Sequence, residues 1–283
     1  MMYLPYANIN GELVDRASAS LQITDLALLR GYGIFDFLRI RHGKATFLED
    51  HLDRFFQSAI KMELDMPVSK EVLKERLADL QQANQAEHAS LRMLLTGGYS
   101  DDGFTPTSSN LILLMQEFRG YPGSLFEQGI RLMPYEYIRE LADVKTINYS
   151  VPILLRKKIK EAGATDVLYH KEGIISESSR ANFFIVTADG SLVTPRQNIL
   201  FGITRKHLLK IARQFCKVVE RPITMEELKG AREAFVSSST KGALAVVQVG
   251  DTVIGNGHPG AITQKLKALF EEYALAESSA FVY

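Results

Sequence analysis

Tight-turn signals recur along this chain between short apolar stretches, and that recurrence constrains its fold more than any other feature. Residues 35–41 and 44–47 flank His42-Gly43 as a hairpin would. Lys171-Glu172-Gly173 and Ala188-Asp189-Gly190 mark two further hairpins in the second half. Antiparallel pairs joined this way cannot all be strands of a doubly wound parallel sheet, where each crossover needs a helix. Helical stretches are interspersed rather than alternating with the strands. Leu52, Phe55, Phe56, Ala59 and Ile60 recur at helical spacing, and a second helix follows Ser69 as its cap, with Val72, Leu73, Leu77 and Leu80 on one face. The mixture reads as α+β.

Strands are expected at 90–96 and 110–118, around a polar loop from Gly97 to Asn110. The stretch 119–124 contains two glycines and a proline and reads as a linker. It separates a small N-terminal α+β domain, 1–118, from a larger one, 125–283. The second domain should open with a strand at 130–137 and continue with a helix from Ser150 that ends before Gly163. Helices follow at 204–218 and 262–274, with strands at 234–237 and 245–254. The best reading of the whole is two lobes with a cleft between them.

Composition narrows the function. Basic and acidic residues number 33 each, so no net field draws in nucleic acid or an anionic membrane, and an anionic ligand must be held by local groups. The single cysteine, Cys216, cannot form an internal disulfide and fits a reducing, cytoplasmic setting. No charged start followed by an apolar run opens the sequence, and the longest apolar run, 111–115, is far too short to span a bilayer. Motifs for a metal site are absent from the sequence, as is G-x-S-x-G. Gly255-Asn256-Gly257-His258-Pro259-Gly260 matches the dinucleotide fingerprint, yet only 23 residues (283 − 260) follow it. No second parallel strand with a ribose-binding acid can be built from them, so a turn into the last helix is expected there.

The remaining motifs point to carbonyl chemistry. Lys145 lies in Asp143-Val144-Lys145-Thr146-Ile147-Asn148-Tyr149. A lysine between apolar neighbours is compatible with an ordinary surface position. It is equally compatible with an amine kept neutral long enough to form a Schiff base, which burial and nearby cations promote. Glu177, between a hairpin turn and an apolar strand, is either a solvated strand end or the anionic partner that a pyridinium nitrogen needs. Gly202-Ile203-Thr204-Arg205 opens a helix, whose free N–H groups suit a phosphate. Ser237-Ser238-Ser239-Thr240 adds hydroxyl donors, and Arg54 could grip a phosphate with two nitrogens.

In this order the pieces resemble the class IV, or fold type IV, pyridoxal-phosphate enzymes, a group that includes D-amino acid aminotransferases, branched-chain aminotransferases and aminodeoxychorismate lyases. The matching segments run from Arg30-Gly31-Tyr32-Gly33-Ile34-Phe35-Asp36 through His51-Leu52-Asp53-Arg54, Lys145 to Asn148 and Glu177 to Asn182, and on to Gly202-Ile203-Thr204-Arg205, Phe235 to Thr240 and Gly255 to Gly260. They cover most of the chain. The resemblance implies a two-domain α+β fold of the D-amino acid aminotransferase type, forming a homodimer with its site between the domains. It implies pyridoxal 5'-phosphate linked to Lys145, which would also shuttle the substrate α-proton. Glu177 would face the pyridine nitrogen and Tyr149 the phenolic oxygen, although Tyr149 stands one residue nearer the lysine than in branched-chain enzymes. Arg54, Ile203, Thr204, Ser238, Ser239 and Thr240 would hold the phosphate, and residues near Arg30 would approach the neighbouring subunit's site. The activity implied is a ping-pong exchange of amino groups between an amino acid and a 2-oxo acid.

The substrate side departs from each subgroup. D-amino acid enzymes typically carry an arginine and a histidine two apart in the loop after the strand at 90–96, and Gly97 to Thr105 contains neither. Branched-chain enzymes usually show Tyr-x-Arg on that strand and Gly-Thr-Ala near the phosphate; here Ser90-Leu91-Arg92 and Ser238-Ser239-Thr240 stand instead. Arg30, Arg92 and Arg180 are the candidates for the substrate carboxylate, since a guanidinium fork matches that group. Phe35 is a further substrate-contacting candidate. The spacing around Lys145 and the length of the chain lean toward D-amino acids. Branched-chain L-amino acids and the lyase reaction are the alternatives.

Overall fold

The computed structural model describes residues 2–281. They divide into two compact units, and the division is not a single cut. One unit holds the chain through Arg119 together with Val144–Asn148 and the stretch from Ala274; the other holds Gly120–Asp143 and Tyr149–Tyr273. The boundary at Arg119 lies in the expected linker. The rest of the expectation is corrected, because two stretches of 125–283 pack with the first unit.

The first unit is built on an antiparallel sheet. Its strands are β1 (Tyr3–Ile9), β2 (Glu12–Asp15), β3 (Gly33–Arg41), β4 (Lys44–Thr46), β5 (Ala89–Thr96) and β6 (Leu111–Glu117). A two-residue strand, Ser278–Ser279, pairs β4 on the outside, and the order inward is β4-β3-β5-β6-β1-β2. Alternation along β3 assigns its faces: Ile34, Asp36, Leu38 and Ile40 are buried, whereas Phe35, Phe37 and Arg39 are half-buried on the other face. Helices α1 (Leu26–Arg30), α2 (Leu48–Lys61) and α3 (Lys70–Asn84) complete the unit. The Ser69 hydroxyl accepts from the Val72 N–H and starts α3, as its sequence signals. Leu48, Leu52, Phe55 and Ala59 are the buried apolar face of α2, which joins Leu73, Leu77 and Leu80 in the core. Ile60 and Val72, expected on the apolar faces of α2 and α3, are exposed.

The second unit holds α4 (Gly123–Gln128), β7 (Ile130–Glu136), α5 (Ser150–Leu154), α6 (Arg156–Glu161), β8 (Asp166–Lys171), β9 (Ile174–Ser178), β10 (Ala181–Val186) and β11 (Leu192–Thr194). It continues with α7 (Ile203–Ala212), β12 (Val218–Glu220), β13 (Ile223–Thr224), β14 (Glu233–Ser238), β15 (Gly242–Val249), β16 (Thr252–Val253) and most of α8 (Ala261–Ala276). The single helix expected from Ser150 is two short ones that meet at Leu155. Pairing runs β10-β14-β15-β7-β8-β9, and β9 pairs β10 in turn, so six strands close into a ring. Most of these pairs are antiparallel, but β15–β7 and β7–β8 are parallel. Phe183, Ile185, Val236, Leu244 and Leu168 fill the core of this unit.

The glycine fingerprint at 255–260 is a turn into α8. The Glu233 carboxylate accepts from the N–H groups of Ile262 (3.0 Å) and Thr263 (2.8 Å) and from the Thr263 hydroxyl (2.8 Å). A carboxylate therefore sits where a dinucleotide phosphate would bind. A Cβ on Gly260 would lie 2.0 Å from that carboxylate group, which accounts for the glycine without any ligand.

Candidate functional site

In the first unit, Lys145 is positioned by a strand-like stretch laid along β3. The Phe35 N–H donates to the Lys145 carbonyl (2.9 Å), Ile34 bridges Thr146, and the Ile147 N–H donates to the Gly33 carbonyl (3.1 Å). The Lys145 ammonium thereby lies 4.6 Å from the centre of the Phe35 ring. Arg92 is the direct cross-strand partner of Phe37. Its guanidinium carbon lies 5.4 Å from the Phe35 ring centre and 6.0 Å from that of Phe37. Two cationic side chains thus lean on one aromatic ring. The Arg92 Nε is buried and has no hydrogen-bond partner among the described residues. A buried guanidinium nitrogen left that way suits an anionic ligand.

Behind them lies a charged cluster. Asp36, on the core face of β3, is fully buried and accepts from Arg54 Nε and Nη2 (2.8 Å each) and from His51 Nδ1 (2.6 Å). Burial pushes the Asp36 carboxyl up, but Arg54 and then His51 outweigh it and hold the group well below the usual carboxylate range. His51 is pushed down, first by burial and then, against the pull of Asp36, by Arg54 and Lys145. A neutral ring beside an ionised carboxylate carries its proton on Nδ1. Arg54 therefore enters the site with Nε and one face of Nη2 committed to Asp36, and its direction is fixed. Arg30, at the end of α1, is exposed and donates to the Leu29 carbonyl.

In the second unit, Glu177 on β9 and Asn182 on β10 are direct cross-strand partners, and Asn182 in turn faces Ser237 on β14. Glu177 is 4% exposed, so its carboxylate must be satisfied internally. Arg139 Nε donates to Oε1 (2.9 Å), while the Leu200 N–H (3.1 Å) and Asn182 Nδ2 (3.3 Å) donate to Oε2. Asn182 Nδ2 also donates to the Leu200 carbonyl (2.7 Å). The next turn leads into α7, whose N-terminus has no capping side chain. A Cβ on Gly202 would lie 2.2 Å from Asn182 Oδ1, so only glycine lets the start of α7 approach this row. Ile203 and Thr204 form the first turn of α7. Ser238 ends β14, and Ser239 and Thr240 make the turn into β15. The Thr240 hydroxyl lies 3.3 Å from both the Ser238 and the Tyr121 hydroxyls. Ser237 Oγ is buried without a partner among the described residues, a second orphaned polar atom beside the Glu177 row.

Pyridoxal phosphate fits this donor set. An uncapped helix start with adjacent hydroxyls suits its phosphate, and a buried, internally clamped carboxylate suits its ring nitrogen. Tyr149, half-buried before α5, belongs to the second unit, and Arg180 is exposed at the β9–β10 turn. Arg139, Asn182 and Asp36 are the residues that motif reading passes over as site candidates. The only signal for Asp36 and Asn182 was their place inside the quoted motifs, and Arg139 had none.

The chain matches the amino-transferase class IV family over residues 33–249. It is 32% identical over 273 residues to a Methanocaldococcus jannaschii protein provisionally named a branched-chain-amino-acid aminotransferase, covering 93% of this chain and 94% of the relative. It is 30% identical over 277 residues to the D-alanine aminotransferase of Staphylococcus aureus strain N315, covering 95% and 98%. Among solved structures, the T.th. branched-chain amino acid aminotransferase with pyridoxamine 5'-phosphate superposes with a TM-score of 0.91 at 22% identity, covering 98% of this chain and 96% of the other. The Escherichia coli branched-chain enzyme does so with a TM-score of 0.88 at 25% identity and the same coverage. No helix among the described residues is long and apolar enough to cross a membrane.

Proposed function

The chain belongs to the class IV aminotransferases, and from that membership we propose that it exchanges amino groups between a D-amino acid and a 2-oxo acid, with Lys145 as the residue that carries the cofactor. Enzymes of this family depend on pyridoxal phosphate. When bound, that cofactor supplies an aldehyde for amines and a ring that draws electrons from the substrate α-carbon. Every other role falls to side chains. Lys145 Nζ offers the amine and, once substrate has displaced it, takes up and returns the α-proton. Arg54, aimed by Asp36, holds the phosphate together with the Ile203 N–H and the hydroxyls of Thr204, Ser238, Ser239 and Thr240. Glu177 is the acceptor for the ring nitrogen, and Tyr149 approaches the phenolic oxygen.

Arg92 is our assignment for the substrate carboxylate, with Phe35 beside it. The observation that carries this reading is the pair of cations, Lys145 and Arg92, on the one Phe35 ring, with the Arg92 Nε buried and without a hydrogen-bond partner among the described residues. Arg30 and Arg180, both exposed, are available to a second charged group on the substrate. One amine serves both half-reactions, so donor and acceptor use it in turn and the kinetics are ping-pong.

D-amino acids are supported by the spacing around Lys145 and by the likeness to D-alanine aminotransferases. A second reading, branched-chain L-amino acids, is favoured by Arg92 at the branched-chain position of β5 and by the M. jannaschii relative. We further infer a homodimer in the cytoplasm. Exposed Ile23, Leu28 and Phe104 support a self-association surface, and the half-buried thiol of Cys216 fits a reducing compartment. The deciding experiment is the absorption spectrum of the purified holoenzyme with D-alanine, D-glutamate, L-leucine and L-glutamate added separately. Bleaching of the visible band by the D-series supports the proposal, and bleaching by the L-series alone replaces it with the second reading. A band that no amino acid bleaches, with pyruvate released from aminodeoxychorismate, would make the enzyme a lyase.

A further inference from the structure

Arg139 belongs to no motif, yet it makes a charged contact of 2.9 Å to Glu177. It follows β7 in the chain, 38 residues before the glutamate. Its side chain is 13% exposed and that of Glu177 is 5% exposed, so their ion pair at 2.9 Å is largely withdrawn from solvent. The guanidinium is itself fixed, because Nη2 donates to the Ala142 carbonyl. The opposite carboxylate oxygen is held by the Leu200 N–H and by Asn182. Both oxygens of Glu177 are thus engaged by fixed donors, and one donor carries a full charge.

Two neighbouring titratable groups, Tyr169 and Asp166, carry no positive charge. Tyr169 and Asp166 lie on β8, and Tyr137 packs edge-on against Tyr169 with ring centres 5.1 Å apart. Tyr169 is pushed above the ordinary phenol range, first by burial and then by Asp166 and Tyr137, and stays neutral. Asp166 is occupied with the Ser179 hydroxyl (2.6 Å) and the Val167 N–H (2.8 Å). A full positive charge is brought to Glu177 by Arg139, at 2.9 Å.

We propose that Arg139 is a positioning residue that holds Glu177 in its ionised form, so that a proton shared with the cofactor's ring nitrogen rests on the nitrogen and not on the carboxylate. This rests on the assignment of Glu177 to that nitrogen. The argument is electrostatic. A buried acid facing a buried base can exist as an ion pair or as a neutral pair, and desolvation favours the neutral one. A guanidinium on the far side of the carboxylate is closer to the negative charge than to the positive one. It therefore stabilises the ion pair over the neutral pair. Without it, the ring would lose the positive charge that makes it an electron sink.

The test compares Arg139→Met, Arg139→Lys, Glu177→Gln and the double variant Arg139→Met/Glu177→Gln as holoenzymes. The first readout is the pH titration of the visible band, which reports the Lys145–cofactor linkage. Loss of positive charge on the ring makes that linkage more basic. Arg139→Met should move the midpoint upward by about one unit or more, in the same direction as Glu177→Gln, and should lower kcat roughly 10- to 100-fold with less effect on KM. Arg139→Lys should restore part of both. The double variant should be no worse than Glu177→Gln alone, since the arginine acts through the glutamate. Cofactor dissociation constants and urea midpoints of the apoproteins separate this from a general loss of structure; if Arg139→Met does not fold, the lysine variant carries the same comparison. A shift in Glu177→Gln with none in the Arg139 variants overturns the proposal and leaves the role of Glu177 standing. No shift in Glu177→Gln removes the premise and the proposal with it.

Discussion

Replacing Asp36 by asparagine asks how much of the first unit depends on one buried charge. The carboxylate is 0% exposed and accepts from Arg54 twice, from His51 and from the Phe37 N–H (2.7 Å). Asparagine has nearly the same shape, so no cavity opens and the change is electrostatic. It leaves the Arg54 guanidinium, 14% exposed, without its counter-charge and facing an amide. Removing one partner of a buried pair costs about 3–5 kcal/mol. The residual exposure of Arg54 and the relief of carboxylate desolvation place Asp36→Asn near the lower end, at about 3 kcal/mol. In the apoprotein that is a fall in melting temperature on the order of 10 °C for the first unit. Urea and thermal unfolding of Asp36→Asn, Arg54→Met and the double variant will measure it. Each single variant orphans a charge and the double variant orphans neither, so the double loss should be smaller than the sum by about 2 kcal/mol or more. Strict additivity, or a loss under about 1 kcal/mol in Asp36→Asn, would refute the reasoning that this pair is mutually dependent.

Other predictions follow from the same geometry. The folded-state pKa of His51 lies below its unfolded value of about 6.5, so its contribution is complete above that value and is lost as pH falls through it. Stability measured between pH 7 and 5 should therefore decline, and His51→Asn, which keeps a donor where Nδ1–H stood, should flatten that slope. Gly202→Ala forces a methyl against Asn182 Oδ1 and should cost roughly 1–3 kcal/mol, with weakened cofactor binding in equilibrium dialysis. Glu233→Ala should lower stability by about 1–2 kcal/mol through loss of the α8 cap while leaving transamination rates unchanged. Lys145→Ala should abolish turnover and the visible band, although the protein still retains cofactor through its phosphate contacts on gel filtration.

What could be read from the chain divides along physical lines. Local signals were legible: the Ser69 cap, the His42-Gly43 turn and, apart from Ile60 and Val72, the apolar faces of α2 and α3 depend on neighbours within a few residues. Lys145 and Glu177 could be singled out as candidates because whole segments around them resemble a known family. Contacts between distant segments were not. Nothing near Arg139 announces that it reaches Glu177, and Asp36, among Ile34, Leu38 and Ile40 on its strand's core face, gives no sign that Arg54 and His51 meet it. The attachment of Val144–Asn148 to β3 gives no sequence signal, because five residues making two backbone hydrogen bonds carry too short a pattern for any periodicity. The helix expected from Ser150 as one piece is interrupted at Leu155, the shared end of two short helices. Ile60 was misplaced because five apolar residues in α2 exceed the width of one buried stripe.

The strand Ser278–Ser279 has a consequence for how the protein is made. It covers the outer edge of β4, and Ser278 Oγ meets Thr46 Oγ1 at a separation of 232 residues. During translation β4 leaves the ribosome long before its partner exists, and at ordinary elongation rates the wait lasts on the order of ten seconds or more. Through that interval the nascent sheet presents an unpaired edge, the kind of surface that recruits foreign strands. The first-synthesised unit is thus among the last to be completed. Chaperone demand should consequently be highest for chains stalled or cut just before Ala274, a point at which the second unit has almost all of its sequence and the first still lacks its outermost strand.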